Sequence, residues 1–174
     1  MSDPMADDNV LDALAPIFLE MGKAVYICQN FEDSLCFMLS LMSHETAEGE
    51  EGAFQAAWDF HSTKILGNLL SALRKQIEVS DDLDKYLSVG VKKRNEIVHG
   101  YLTRNAKRLY DPKERLDVAR ELSELKIEVK HRDIVVNKLI DALLKKYGMS
   151  NASLKRNADE LWSSLNSQNT TSSH

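Results

Sequence analysis

Apolar residues recur at intervals of three and four along four segments of the chain. This spacing places them on one face of a helix and therefore predicts four long helices. Pro16 suits the first turn of the first helix, Ser80 is a typical N-cap for the third, and Gly148 is a typical stop for the fourth. The predicted helices cover residues 16–43, 53–78, 81–103 and 113–147.

The segments outside these helices complete the predicted organisation. Asn9 is predicted to cap a short helical lead-in, and residues 149–165 predict a short C-terminal helix. The polar ends, residues 1–8 and 166–174, predict disorder. No segment has a convincing strand pattern. The expected architecture is therefore all-α: an antiparallel bundle of four main helices within residues 9–148, followed by the short C-terminal helix.

The fourth predicted helix carries a heptad pattern. Leu122, Val129, Val136 and Leu143 are seven residues apart. Because seven residues are close to two helical turns, their side chains form one continuous seam. This seam predicts that the helix packs along a partner helix, and it would also suit a role in association.

Composition and charge narrow the classes of protein. The chain has 174 residues, 43% hydrophobic and 28% charged, which suits one domain with its own core. The net charge of −5 argues against nonspecific coating of nucleic acid. Residues 92–108, however, hold six basic residues and one acidic residue, so their local charge is +5. The sequence RNAKRLYDP, residues 104–112, predicts a basic loop that could hold a phosphodiester locally.

Cysteine spacing and hydropathy bear on the compartment. Cys28 and Cys36 are eight residues apart on one predicted helix, too far to bridge each other, so we expect two reduced thiols in a helix core. No run of 18 apolar residues occurs, and the acidic N-terminal sequence MSDPMADDNV does not fit a signal peptide. The expectation is a cytoplasmic protein without a membrane segment.

Arg94 is the unusual residue of the third predicted helix. At about 100° per residue, it falls at the centre of the apolar stripe that Leu87 and Ile97 help to form. A buried guanidinium needs a carboxylate or a cleft that is open to water or ligand. One expectation is that the stripe faces a second copy of the chain across a polar slot. The alternative is that Arg94 pairs with Glu32 or Asp33 on the first helix and only holds the bundle together.

Asn95 and His99 lie four residues apart on the flank of the same helix, within mutual reach. An arginine can clamp a phosphate, and a histidine can move a proton near neutral pH. Together these groups suit attack of a ribose 2′-hydroxyl on the neighbouring phosphate, which gives a 2′,3′-cyclic phosphate. That reaction needs no metal or other cofactor.

The string RNEIVH, residues 94–99, resembles the Arg-x4-6-His motif of HEPN domains, which are small all-α bundles. Many HEPN proteins are metal-independent endoribonucleases of bacterial toxin–antitoxin and phage-defence systems. The resemblance implies a homodimer that cuts RNA at a composite site. In that site Arg94 would bind and polarise the phosphate, His99 would act as general base or acid, and Asn95 would position groups. The alternative is a non-catalytic HEPN-like dimer that binds a partner protein or a nucleotide.

The continuation His99-Gly100-Tyr101 is similar to HEPN toxins that are paired with a minimal nucleotidyltransferase antitoxin. In those toxins the tyrosine is modified with AMP, which makes Tyr101 a candidate modification site and such an antitoxin a candidate partner. The alternative for Tyr101 is an amphipathic residue at a packed seam.

Two further groups of residues complete the expected site. Gln29 and Glu32 lie one turn apart on the first helix and could support the motif from behind, or pair locally instead. The basic residues near the motif are the expected RNA contacts: Lys92, Lys93, Arg104, Lys107 and Arg108.

Overall fold

The computed structural model describes residues 4–46, 52–76, 79–146 and 148. Every regular element in these residues is a helix, which confirms the all-α prediction for this part of the chain. It contains seven helices instead of the four main ones expected. They are α1 Pro4–Thr46, α2 Ala53–Ser62, α3 Leu66–Gln76, α4 Asp81–Val98, α5 Tyr101–Arg104, α6 Ala106–Tyr110 and α7 Arg115–Lys146.

The longest helix, α1, starts earlier than the sequence predicted. It begins at Pro4, so it includes residues 4–8 of the segment expected to be disordered. Asn9 and Pro16 therefore lie inside the helix, and the predictions of an N-cap at Asn9 and a first turn at Pro16 were wrong. A proline ring is compatible with helical φ, and the helix continues through Pro16 with one backbone donor missing.

The second predicted helix is two helices, because residues 63–65 separate α2 from α3. The hydroxyl of Ser62 donates to the carbonyl of Asp59 at 3.3 Å, and that of Thr63 donates to the carbonyl of Phe60 at 3.0 Å. Such side-chain bonds offer the backbone an alternative to continuing the helix. The prediction of one helix over residues 53–78 was therefore wrong.

The motif helix α4 begins as predicted and ends early. The side chain of Ser80 accepts a hydrogen bond from the backbone N–H of Leu83, which confirms Ser80 as the N-cap. The helix stops at Val98 because Gly100 has φ 110°, a left-handed backbone conformation that residues other than glycine rarely adopt. The predicted basic loop after it contains the short helices α5 and α6.

The described chain divides into two compact units, Met1–Val136 and Asn137–His174. In the first unit α1 packs against α2, α3 and α4, and α3 also packs against α4. In the second, α7 ends at Lys146, and Gly148 follows at φ 68° with its N–H donating to the carbonyl of Lys145 at 3.0 Å. This geometry confirms Gly148 as a C-terminal stop. The predicted helix at 149–165 lies outside the described residues.

The seam of α7 is buried within the first unit. Leu122, Val129 and Val136 are fully buried there, while Leu143 belongs to the second unit and is half-buried. Near the seam, Lys126 forms an ion pair with Glu20, and Ser34 donates a hydrogen bond to Asp133 at 2.6 Å. Both contacts join α7 to α1. The partner helix that the seam predicted is therefore in the same chain, and Leu122, Val129 and Val136 are not free for association.

The prediction of two buried, unbridged cysteines is confirmed. Cys28 and Cys36 are both buried and unbonded, and burial raises the pKa of their thiols to about 12 and about 11. No helix among the described residues is long and apolar enough to cross a membrane.

Candidate functional site

The site lies where α4 ends against α1. Arg94 and Asn95 are in the last turn of α4, and His99 is its C-cap residue. Arg104 folds back from α5 and donates to the carbonyls of Glu96 at 2.6 Å and His99 at 3.1 Å. These carbonyls lack partners within the helix, so a cation beside them stabilises the helix end. The sharp stop therefore fixes His99 beside Arg94.

Arg94 is held by a carboxylate of the same chain. Its Nε donates to Oε1 of Glu32 on α1, and the two side chains are only 16% and 25% exposed. The centre of the stripe is also internal, since Leu87 and Ile97 of α4 are buried, as is Tyr101 at the start of α5. The expectation that the stripe faces a second copy was therefore wrong. The alternative, in which Arg94 pairs with Glu32, is what the structure contains.

The same guanidinium also contacts the other two motif residues. Arg94 Nη1 lies 3.1 Å from Oδ1 of Asn95 and 3.0 Å from Nε2 of His99. A guanidinium has only donors, so Nε2 of His99 must be the acceptor in this arrangement. The tautomer that fits this contact has its hydrogen on Nδ1. Asn95 and His99 are exposed, whereas Arg94 is mostly covered.

One nitrogen of the guanidinium has no hydrogen-bond acceptor among the described residues. Arg94 Nη2 makes no hydrogen bond to any residue in the described part of the chain, while Nε and Nη1 are both engaged. An incoming phosphate oxygen could therefore bind Nη2 without displacing Glu32. His99 would have to exchange its contact with Arg94 for a substrate hydroxyl before its Nε2 could accept a proton.

The two expected supporting residues on α1 behave differently. Glu32 contacts Arg94 directly, as one of the two alternatives for Arg94 predicted. Gln29 is exposed, and no hydrogen bond joins it to the site among the described residues. The cluster in contact therefore consists of Glu32, Arg94, Asn95 and His99.

Tyr101 follows the site but points into the interior. It is 3% exposed, and its hydroxyl donates to the backbone carbonyl of Val118 at 2.8 Å. Burial, with the nearby carboxylate of Glu121, raises the pKa of this phenol to about 12. The observed position is that of an amphipathic residue at a packed seam. Modification of Tyr101 with AMP stays a prediction, and it would require the hydroxyl to leave Val118.

The expected RNA-binding residues fall into two groups. Arg108 is bound to two carboxylates, Glu114 at 2.7 Å and Glu121 at 2.8 Å, and it lowers the pKa of Glu121. The Nζ of Lys93 lies 3.5 Å from Oε2 of Glu96. Their charges are therefore largely compensated within the chain.

The other three basic residues remain open to solvent. Arg104 is exposed although it caps α4, and Lys92 and Lys107 are exposed without a carboxylate partner among the described residues. The local charge of +5 thus includes three uncompensated cations rather than a continuous basic surface.

No group of three or more His, Cys, Asp or Glu side chains that could hold a metal ion occurs among the described residues. Comparison with protein-family models, with curated proteins and with solved structures gave no match to this chain.

Proposed function

We propose that the protein is a HEPN-like, metal-independent endoribonuclease that acts as a homodimer, in the role of a toxin or phage-defence effector. The observation that carries the proposal is the single cluster of Arg94, Asn95 and His99 at an exposed helix end. Arg94 contacts both Asn95 and His99 there, and these two residues are next to solvent. Nearby cations without carboxylate partners supply a means of attracting the RNA backbone.

The chemistry follows from the roles that these groups can take. His99 Nε2 accepts the proton of a ribose 2′-hydroxyl as that oxygen forms a bond to phosphorus. Arg94 Nη2 stabilises the charge that grows on the non-bridging phosphate oxygens. The bond from phosphorus to the 5′-oxygen then breaks, that oxygen takes a proton from a water molecule, and His99 returns the proton it accepted to solvent. The products are a 2′,3′-cyclic phosphate and a 5′-hydroxyl end, and DNA lacks the hydroxyl that the first step needs.

The proposed dimer must use the flank of α4 and not its stripe, because the stripe is buried within the chain. Asn95 and His99 are on that exposed flank. Two chains that met there would bring two such clusters together, as the resemblance implies.

The first test compares RNA cleavage in EDTA by the natural chain and by His99→Ala. We expect a loss of about 10²- to 10⁴-fold, the usual contribution of a general acid–base group. His131→Ala is the matched control, since His131 is an exposed histidine on α7, and it should retain full activity. Equal cleavage by natural chain and His99→Ala, or no cleavage under any condition, would contradict the proposal. Overexpression should slow growth, and His99→Ala should relieve that effect.

A second test separates RNA contacts from structural cations. Lys107→Gln removes an uncompensated charge and should weaken RNA binding and lower the slope of log affinity against log salt by about 1. Arg108→Gln removes a charge already paired with two carboxylates and should mainly lower the free energy of unfolding. If both substitutions reduced RNA affinity equally, the division of the basic residues would be wrong.

A second candidate function is a non-catalytic dimeric module that binds a partner protein or a nucleotide. The ion pair with Glu32 favours it, because that contact alone explains a cation on the stripe without any substrate. In this case neither the natural chain nor His99→Ala should cleave RNA. His99→Ala should instead alter the binding of the partner. A pull-down followed by sedimentation of the complex distinguishes the two functions, and a monomer in solution would count against both.

A further inference from the structure

A groove with its own chemistry lies between α2 and α3, apart from the motif residues. Its volume is about 430 Å³, within the range of sites that hold small organic ligands. The end of α2 and the linker contribute Phe60, His61 and Lys64, and one face of α3 contributes Asn68 and Lys75. The two helices form this groove because residues 63–65 interrupt what would otherwise be one helix.

The groove is positive on a chain whose net charge is negative. Lys64 and Lys75 line it and are both exposed, and none of the described residues that line it is Asp or Glu. The whole chain carries −5. An anionic group therefore finds in this groove two cations with no competing carboxylate, which suits a phosphate.

An exposed aromatic ring borders these cations. Phe60 is 58% exposed, so the core does not account for it. The Nζ of Lys64 lies 4.2 Å from the centroid of its ring, and the buried ring of His61 meets it edge-on at 5.2 Å. The positive charge thus lies over one face of an exposed apolar ring, so a base would stack on the opposite face or replace the ammonium on this one. A nucleotide matches this arrangement, because its planar base can stack on the aromatic ring while its phosphate binds the cation.

A free polar side chain completes the groove. Asn68 is exposed, and its amide makes no side-chain hydrogen bond within the part of the chain described here. An amide offers donors and an acceptor together, which can pair with the edge of a base. His61 lies beneath, and burial lowers its pKa, so near neutral pH it adds a polar ring and no charge.

We propose that the groove between α2 and α3 binds a nucleotide, with Lys64 and Lys75 holding the phosphate, Phe60 stacking on the base and Asn68 facing its edge. The nucleotide is either free or one unit of single-stranded RNA, because both offer the same chemistry. This site is separate from the Arg94 cluster and does not depend on the proposed ribonuclease activity.

The test is calorimetric titration of the full chain with AMP, adenosine, inorganic phosphate and a short oligoadenylate. AMP should bind best among the three small molecules. The double variant K64Q/K75Q should weaken AMP binding at least about tenfold, since even one charge-assisted hydrogen bond contributes about that much. Phe60→Leu should weaken the binding of AMP and of adenosine alike, by about 5- to 150-fold, because both lose a stacked base. These positions are exposed, so circular dichroism should show an unchanged fold.

Matched controls come from exposed residues elsewhere. Lys85→Gln removes an exposed lysine of α4, and Tyr26→Leu removes an aromatic ring of α1 that is 63% exposed. Both controls should bind AMP as the natural chain does. Oligoadenylate that binds more tightly than AMP, with the same sensitivity to K64Q/K75Q, would identify RNA as the source. AMP binding that the oligonucleotide does not compete with would identify the free nucleotide, and either result supports the site.

Three results would overturn the proposal. They are no AMP binding at millimolar concentration, AMP binding that K64Q/K75Q and Phe60→Leu leave unchanged, and inorganic phosphate binding as tightly as AMP. The last would show that only an anion is recognised. Loss of RNA cleavage in His99→Ala with AMP binding intact would separate this site from the Arg94 cluster.

Discussion

The ion pair between Glu32 and Arg94 makes a quantitative prediction about stability. Coupling in exposed ion pairs is about 0.2–1 kcal/mol, whereas breaking a buried pair costs about 3–5 kcal/mol. At 25% and 16% exposure this pair falls between those classes. Two unit charges 4 Å apart attract by about 4 kcal/mol at an effective dielectric constant of about 20, and desolvation of both groups offsets part of that. We therefore expect a coupling free energy of about 2 kcal/mol.

A double-mutant cycle measures this coupling. Glu32→Gln, Arg94→Met and the double variant are unfolded in urea and followed by circular dichroism. Arg94→Met should be the most destabilised single variant, because it leaves a half-buried carboxylate unpaired, and the double variant should recover part of the loss. Methionine has an unbranched apolar side chain that can pack on the stripe beside Leu87.

Arg74 and Asp84 provide the control pair. Nε of Arg74 and Oδ1 of Asp84 lie 2.5 Å apart, but the side chains are 44% and 32% exposed, so their coupling should be clearly weaker than that of Glu32 to Arg94. One molar salt should reduce that control coupling more than the coupling of Glu32 to Arg94. A coupling below about 0.5 kcal/mol for Glu32 and Arg94 would refute the view that α1 is what makes a cation tolerable on this stripe.

Two further predictions concern the packing of α4 and α5. A Cβ on Gly90 would lie 3.0 Å from Cγ of Arg132 and 3.1 Å from Cζ of Phe31. The cost of this overpacking should exceed the gain in helix propensity, so Gly90→Ala should lower the free energy of unfolding by about 1 kcal/mol. Gly22→Ala, with open space around it, should raise that free energy by about 0.5–1 kcal/mol, and equal effects in urea melts would contradict the close approach. Tyr101 should ionise in the folded chain near pH 12 but in the unfolded chain near about 10, so its contribution to stability should be lost as pH rises from about 10 to 12. Ultraviolet titration of the natural chain and Tyr101→Phe measures this, and a midpoint near pH 10 in the difference between them would contradict the burial.

Periodicity was enough to predict the helical class and the starts of α2, α4 and, to within two residues, α7, since amphipathic patterns report directly on one buried face. Gly148 marked the end of α7, but the ends of α2 and α4, which depend on local hydrogen bonds, were not predicted. The break at residues 63–65 comes from Ser62 and Thr63, whose hydroxyls bond to carbonyls of the preceding turn. A Ser-Thr pair inside an otherwise helical pattern is the signal that could have indicated it. Likewise His99-Gly100 ends α4 through a left-handed glycine, a role that a histidine–glycine step only suggests.

The candidate site was predictable in part for a related reason. Residues 94–99 belong to one helix end, so the contacts of Arg94 with Asn95 and His99 follow from local geometry. The contact with Glu32 crosses 62 positions and depends on how α1 packs on α4, which spacing could offer only as one of two alternatives. The compensation of Arg108 by Glu114 and Glu121 was missed because it depends on where α6 meets the start of α7.

Charge cancellation at the site has a consequence for how RNA would be recognised. Glu32 compensates Arg94, so the cluster by itself attracts a phosphodiester weakly, and long-range attraction must come from Lys92, Arg104 and Lys107. Arg94 can still contribute at short range, because Nη2 is uncommitted and its direction is fixed by the bond from Nε to Glu32. Binding and bond cleavage should therefore respond to different substitutions: loss of the exposed cations weakens affinity and its salt dependence, whereas loss of Glu32 misorients the guanidinium and lowers the rate at saturating RNA.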